Sequence, residues 1–250
     1  MSGNTSTVGC PLDDTMGYSR NLTDFAEGKA LRLDPSYRLA HLPLVNPIHI
    51  DCIPRVTGKP YDMGRHGRVH SLVLPIPQVL LEASPAFQAL EAAIQASSFG
   101  KKIAWDIVEQ RRGRLHATIC GSLGEGENPL VLSALEKTQP LRVQIRGLFS
   151  GNVNVGRLYL IVYPEKHAAI NDIQVIQTKL GRAVTDLYLV GVYNLTDHLT
   201  VQETADLAHL INRWWDVPLL AFEAETLWLM SSMDDLVLDS RVDVVVQLIP

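Results

Sequence analysis

Residues 141–149, LRVQIRGLF, constrain the fold more than any other segment because their apolar and polar side chains alternate. Alternate side chains of a strand point to opposite faces, so this pattern predicts a strand with one buried face. The turn SGNVNVG follows, and it leads into a second apolar run at residues 156–165, GRLYLIVYPE. Asparagine and glycine favour the tight turns of hairpins, so the two runs predict an antiparallel sheet packed on a core.

The rest of the chain alternates further strand patterns with helical ones. Helices are predicted at residues 83–97, with Ser84 as N-cap and Pro85 at the first helical position, at about 129–138 and 167–180, and after residue 202. The last of these has an apolar stripe with helical spacing: Leu207, Leu210, Ile211 and Trp214. Further strands are predicted at residues 69–77, 103–110, 114–123, 187–202, 219–232 and 240–250. Hairpins mixed with helices indicate the α+β class.

Residues 1–67 differ from the remainder because turn formers interrupt their short apolar pieces. We predict an irregular N-terminal extension there. Its segments LAHLPLV and IHIDCI are too apolar for a free tail, so the extension is expected to pack on the domain. Residues 68–250 then form one domain of two comparable halves, each with strands, a helix and a histidine motif.

Composition limits the classes of function. With 250 residues, 46% of them hydrophobic, the chain is long enough to bury one sizeable core. A net charge of -5 without lysine or arginine runs argues against binding extended DNA. No apolar run is long enough for a membrane span, and the polar start lacks the pattern of a signal peptide. Three cysteines without a CxxC pair favour a reduced compartment. We therefore expect a cytoplasmic protein, with a monomer favoured.

Two tetrapeptides carry the candidate chemistry: His116-Ala-Thr118-Ile and His198-Leu-Thr200-Val. On a strand, the histidine and threonine of each motif project from one face while the apolar residues anchor the other. Two such strands side by side would present two imidazoles and two hydroxyls to one cleft. Imidazoles suit proton transfer near neutral pH, and hydroxyls donate hydrogen bonds to phosphate oxygens. The motifs thus predict phosphoryl chemistry that needs no metal and no cofactor.

On these motifs the chain resembles the two-histidine (2H) phosphoesterase family, which includes RNA 2',3'-cyclic phosphodiesterases and 2'-5' RNA ligase-like proteins. The resemblance covers about residues 68–250 and implies a bilobal, pseudo-symmetric α+β fold, with antiparallel sheets around a central cleft and helices outside. It implies that His116 and His198 are acid and base, and that Thr118 and Thr200 bind phosphate. The implied activity is hydrolysis of a cyclic phosphate or a 2'-5' phosphodiester of a nucleotide or RNA end.

Three further residues are candidates for substrate binding. Tyr193 precedes the second motif and is a candidate for stacking on a base, with core packing as its alternative. Arg114 and Arg146 are candidates for phosphate contacts. The alternative is that they only keep an exposed strand face soluble. The loop GSLGEGENP lacks the lysine of a P-loop and is interpreted as a turn. His66 and His70 are weak candidates for metal or phosphate binding, and no metal site is predicted.

Alternatives to the catalytic interpretation remain open. Residues 200–203, Thr-Val-Gln-Glu, also spell a capping box, which would place Thr200 at a helix start and His198 in a loop. A protein of the same fold could bind a nucleotide or RNA without turnover. The motifs could also be coincidental in a structural or partner-binding protein, in which case the two histidines would lie far apart.

Overall fold

A computed structural model describes residues 11–124 and 126–249. The protein is of mixed α+β class, with an eight-stranded antiparallel sheet curled into a half-barrel and helices packed around it, as the strand and helix patterns predict. The strands are β1 Arg65–Pro75, β2 His116–Leu123, β3 Leu141–Ser150, β4 Arg157–Pro164, β5 Lys166–His167, β6 Ile170–Asn171, β7 Leu189–Asn194, β8 Pro218–Ala224, β9 Thr226–Asp234 and β10 Ser240–Gln247. The helices are α1 Pro35–Ala40, α2 Leu42–Val45, α3 Gln78–Ala83, α4 Pro85–Ala96, α5 Trp105–Gln110, α6 Asn128–Leu135, α7 Asp172–Lys179 and α8 Val201–Trp214.

The large sheet consists of two four-stranded halves. Its order is β10-β9-β1-β2-β7-β4-β3-β8, so β2 and β7 meet at the centre. These two strands share a single registered pair, Ala117 with Val190, whereas the other neighbours pair over several residues. The halves are therefore joined by a short contact, beyond which β2 and β7 are free to diverge.

A single residue links the two ends of this sheet. β8 pairs with β3 at one end and β9 pairs with β1 and β10 near the other, yet only Glu225 separates β8 from β9. One residue spans only about 3.5 Å, so the two ends must lie close together. The sheet therefore curls, and its concave face becomes a cleft.

The N-terminal segment packs on this domain and is only partly irregular. It contains α1 and α2, and the α1 helix has Asp34 as N-cap, whose side chain accepts from the backbone N–H of Tyr37. Tyr18, Leu33 and Tyr37 are buried members of the main core. The hydroxyl of Tyr37 donates to the carbonyl of Leu195 at 2.7 Å. The segment thus supplies core side chains to the domain.

Most of the predicted elements are confirmed, and the two exceptions are residues 103–110 and the second half of 187–202, where β7 ends at Asn194. Ser84 caps α4 as predicted, and its hydroxyl accepts from the N–H of Phe87. Residues 103–110, IAWDIVEQ, were predicted as a strand but contain helix α5. The prediction is wrong because Ile103 and Ile107, four residues apart, are both buried, and this spacing is that of a helix face. In addition, 219–232 divides into β8 and β9 at Glu225.

None of the helices in residues 11–124 and 126–249 has the length and apolar character required to cross a membrane.

Gly147 in β3 gives a test of the packing of α8 on the sheet. Its φ is +46°, and a Cβ there would lie 2.4 Å from the carbonyl oxygen of Trp214. We expect Gly147→Ala to lower the free energy of unfolding by about 2 kcal/mol or more, through backbone strain and the clash. Gly67→Ala is the control, since a Cβ there meets no atom within 4 Å. Urea unfolding of both variants measures the difference, and equal stabilities would contradict this packing.

Candidate active site

The first motif lies on β2, as its alternation predicts. Ala117 and Ile119 are buried in the main core, and His116 and Thr118 project from the opposite face. Both face a cavity of about 740 Å³ on the concave side of the sheet. Strands β1, β2 and β9, the start of β4 and the N-terminal segment all contribute to its lining, which is rich in polar groups: His41, Tyr61, His66, Arg68, Ser71, Ser122, Asn154, Arg157, Ser232, Asp234 and Asp235.

The hydrogen bonding of His116 selects its tautomer. Its Nδ1 lies 2.8 Å from the carbonyl oxygen of Arg114, which can only accept, so Nδ1 carries the proton. Burial, opposed by this hydrogen bond and assisted by the positive charges of Arg111 and Arg157, lowers the pKa of His116 to about 4. The ring is therefore neutral at physiological pH, and its Nε2 is an acceptor with no partner within the described ranges.

Arg157, at the start of β4, supplies positive charge to the same cavity. Its guanidinium lies over Gly191 of β7, where a Cβ would come within 2.2 Å of its Nε. It also lies 5.4 Å from the ring centroid of Tyr159, and its Nη1 donates to the backbone carbonyl of Asp235 at 3.0 Å. The absence of a side chain at Gly191 is what allows the arginine to lie flat on the sheet.

The carboxylate of Asp235 binds two side chains at the rim of the cavity. Its Oδ2 accepts from the hydroxyl of Tyr61 at 2.8 Å, and its Oδ1 lies 3.2 Å from the Nε2 of His66. The rings of Tyr61 and His66 pack edge to face. The Nδ1 of His66 lies near the carbonyl of Gly67, so both of its ring nitrogens are engaged. This contact joins the N-terminal segment and β1 to the loop after β9.

The second motif does not lie on a strand, so that prediction is wrong. Strand β7 ends at Asn194, and His198 lies in the loop that precedes α8. Its Nδ1 accepts from the N–H of Leu33 at 3.0 Å, and its Nε2 lies 2.7 Å from Oδ2 of Asp51. Both contacts hold the N-terminal segment. His198 is not among the residues that line the cavity of His116.

Thr200 has the structural role that the capping box at residues 200–203 predicts. It is the N-cap of α8, where its hydroxyl accepts from the N–H of Glu203 while the Glu203 carboxylate accepts from the N–H of Thr200. Lys102 donates to the same carboxylate at 2.8 Å and to the carbonyl of His198 at 2.7 Å. The capping box, and not a strand, determines the local structure of the second motif.

The strand register identifies the positions on β7 that correspond to the first motif. Ala117 and Val190 are directly opposed in an antiparallel pair, so the local two-fold relation between β2 and β7 passes between them. His116 and Thr118 flank Ala117, and Leu189 and Gly191 flank Val190. The strand that faces β2 therefore presents neither a histidine nor a threonine there.

The three predicted substrate contacts are not among the residues that line the cavity. Tyr193 is fully buried, with its hydroxyl 3.3 Å from Glu91 and its ring against Trp105, so it packs in the core. Arg114 donates to the carbonyls of Val237 and Leu238, which ties β2 to the loop after β9. Arg146 lies 4.4 Å from the ring centroid of Tyr163 and donates to Gln144. None of the three lines the cavity of His116.

The residues that sequence reasoning missed come from distant segments. Arg157 begins an apolar strand and Asp235 follows one, so neither belongs to a recognisable motif. His66, in GRHGRVH, is predicted from the sequence only as a weak candidate for metal or phosphate binding. His41 lies in the apolar segment LAHLPLV, where nothing distinguishes it from a core residue. Only the curl of the sheet brings these side chains to His116.

A separate group of potential metal ligands lies away from this cavity. One ligand atom from each of Glu165, His167 and Asp172 falls within 4.8 Å of the others, near β5 and β6. The Nε2 of His167 lies 3.2 Å from Oδ1 of Asp172, and Arg142 lies 3.9 Å from Glu165. The group shares no residue with the lining of the His116 cavity.

Comparison with protein-family models and with curated proteins finds no match for this chain. The resemblance to two-histidine phosphoesterases therefore stays a hypothesis.

The pKa of His116 gives a test of its burial. In the unfolded chain the pKa lies near 6.5, so between that pH and about pH 4 the unfolded state binds more protons than the folded state. Stability is therefore expected to fall as the pH falls through this window, by up to about 3 kcal/mol from this residue. Urea unfolding measured at several pH values should show a smaller loss of unfolding free energy in His116→Gln than in the wild type. An NMR titration of His116 with a pKa near 6.5 would contradict the burial of its ring.

The cap of α8 predicts the effect of substitutions at Thr200. Thr200→Ala removes the acceptor for the Glu203 N–H and should lower the free energy of unfolding by about 1 kcal/mol. Thr200→Ser keeps a hydroxyl and should leave stability nearly unchanged. Thermal unfolding by circular dichroism compares the two, and equal losses would show that the cap does not stabilise the helix.

Proposed function

We propose that the chain binds the phosphate ester of a nucleotide or of an RNA end in the cavity of His116, as a binding module without two-histidine turnover. The observation that carries this proposal is the placement of Thr118 and Arg157 on the concave face beside a neutral imidazole. A hydroxyl donor and a guanidinium are the groups that proteins use for phosphate oxygens.

The cavity suits a small ligand better than a polymer. Its volume of about 740 Å³ lies within the range of sites for nucleotide-sized molecules. The chain has a net charge of -5, which argues against neutralisation of many phosphates along a polymer. Polar side chains from several strands converge on the concave face, as expected for recognition of a single ester group.

Binding without turnover is favoured because His198 is not among the residues that line this cavity. Cleavage of a phosphodiester by paired histidines needs one neutral and one protonated imidazole at the same phosphorus. Leu189 and Gly191 occupy the β7 positions equivalent to His116 and Thr118. His66, the other imidazole at the rim, has both nitrogens engaged by Asp235 and Gly67.

Hydrolysis of a cyclic phosphate or 2'-5' phosphodiester is the second candidate, and the tautomer of His116 favours it. With Nδ1 protonated, Nε2 can accept a proton from water as the water oxygen attacks phosphorus. The leaving ester oxygen would then take its proton from solvent. A pKa of about 4 makes His116 a weak base, so turnover by this route is expected to be slow.

The test measures binding and turnover in the same samples. We expect 2',3'-cyclic nucleotides, 2'-5' linked dinucleotides or nucleoside monophosphates to bind, by calorimetry in EDTA, and to be recovered intact by chromatography. His116→Gln and Thr118→Val should each weaken binding by about tenfold, because each removes a polar contact. His198→Gln and Thr200→Ser are the matched controls, since they alter the second motif outside the cavity.

Two results would change the conclusion. Turnover by the wild type that falls about a hundredfold or more in His116→Gln would establish the phosphoesterase candidate. Absence of binding across the panel, or equal losses in the His116 and His198 variants, would contradict a phosphate-ester site at β2.

A further inference from the structure

Unpartnered polar groups are concentrated in the centre of this protein. Among the described residues, eight buried side-chain nitrogen and oxygen atoms have no hydrogen-bond partner, and six of them belong to four residues. These residues, which we name the buried polar cluster, are His41, Arg111, Arg157 and Asn194. An unsatisfied buried donor costs about 1–3 kcal/mol, so such a concentration marks a candidate site for a polar ligand.

The strands bring these four side chains to one place. Asn194 lies directly opposite Arg157 in the β4–β7 pair, so both project from the same face. The Nη2 of Arg111 donates at 2.7 Å to the carbonyl of Gly191, the residue over which Arg157 lies. Arg111 and Arg157 therefore both lie against Gly191 of β7, and the charge of each acts on the other's surroundings.

His41 completes the cluster from the N-terminal segment. Its ring is fully buried and stacks on Tyr37, whose hydroxyl is bound to the carbonyl of Leu195, the residue after Asn194. Burial lowers the pKa of His41 well below its ordinary value, and the charges of Arg157 and Arg111 lower it further. Like Arg157, His41 lines the cavity of His116, so the cluster is reached from that cavity.

The two guanidiniums lack a directly bound counter-ion. Neither Arg111 nor Arg157 forms an ion pair with a carboxylate of the described residues. The buried carboxylate of Asp234 acts on Arg111, but its oxygens accept the N–H groups of Leu236, Leu238 and Asp239. Burial and the charge of Arg157 lower the pKa of Arg111 to about 9. Buried like charges of this kind are stable when an anion lies between them.

We infer that the buried polar cluster binds a phosphate group, whose oxygens accept from its guanidinium, imidazole and amide N–H groups. This inference rests on the proposed function, because it assigns the phosphate of the ligand to the inner end of the same cavity. A phosphate monoester has more oxygens free for such donors than a cyclic diester, so terminal phosphates are the preferred class. Inorganic phosphate presents the same chemistry and serves as the probe.

The experiment measures thermal unfolding and calorimetry of the full chain with sodium phosphate, against sodium chloride at matched ionic strength. We expect a saturable rise in Tm with phosphate that chloride does not reproduce. Arg157→Gln should weaken phosphate binding by about tenfold or more. Arg146→Gln is the matched control, because Arg146 also lies over a tyrosine ring in the adjacent strand but outside the cavity.

Asn194→Asp provides a test that does not depend on losing a side chain. It places a carboxylate of the same size among the guanidiniums and so builds a counter-ion into the protein. We expect a higher Tm than the wild type in phosphate-free buffer, and no further rise with phosphate. A variant that is less stable than the wild type and still responds to phosphate would contradict the inference.

The outcomes separate this inference from the proposed function. If phosphate binds but no nucleotide competes for it, the cluster holds an inorganic ion and the proposed function fails. If nucleoside monophosphates compete, and lose affinity in both Arg157→Gln and Thr118→Val, the cluster holds an ester phosphate. If nucleotides bind with the same affinity in wild type, Arg157→Gln and Asn194→Asp, the cluster is not the phosphate site although the proposed function stands. A wild type without a phosphate-specific response overturns the inference.

Discussion

The connection between β8 and β9 through Glu225 is the constraint on which the rest of the structure depends. β8 pairs at one end of the large sheet and β9 near the other, so one covalent link holds the two ends together. A flat sheet of this strand order cannot satisfy that link. The curl follows, and with it the concave face on which His116, Thr118 and Arg157 lie.

Few backbone pairs join the two halves at the centre of the curled sheet. β2 and β7 share one registered pair, and the guanidinium of Arg111 takes the place of further strand contacts by donating to the carbonyls of Gly191 and Val192. This arrangement satisfies backbone acceptors at the cost of burying a charge. Burial of the His116 ring is the largest cause of its low pKa, and the charges of Arg111 and Arg157 lower it further.

Much of the fold could be predicted, because period and capping signals are local. The alternation in β3, the N-cap Ser84 and the apolar stripe of α8 each depend on neighbouring residues alone. The error at α5 arose because a short apolar segment rich in β-branched residues does not distinguish strand from helix. Half of the candidate site was predicted as well: the strand alternation around His116 is local, whereas the identical spacing at His198 falls in a loop because the capping box determines that segment.

The sequence by itself therefore determined the α+β class, the hairpins, the caps and the face on which His116 and Thr118 project. Only the tertiary structure decided which histidines share a cavity. His198 is held by Leu33 and Asp51 in the N-terminal segment, and His41 and Arg157 approach His116 from segments far from it in sequence. The physical reason is that a motif encodes side-chain direction along one strand, while convergence on a site depends on strand order and curl, which long-range pairing sets.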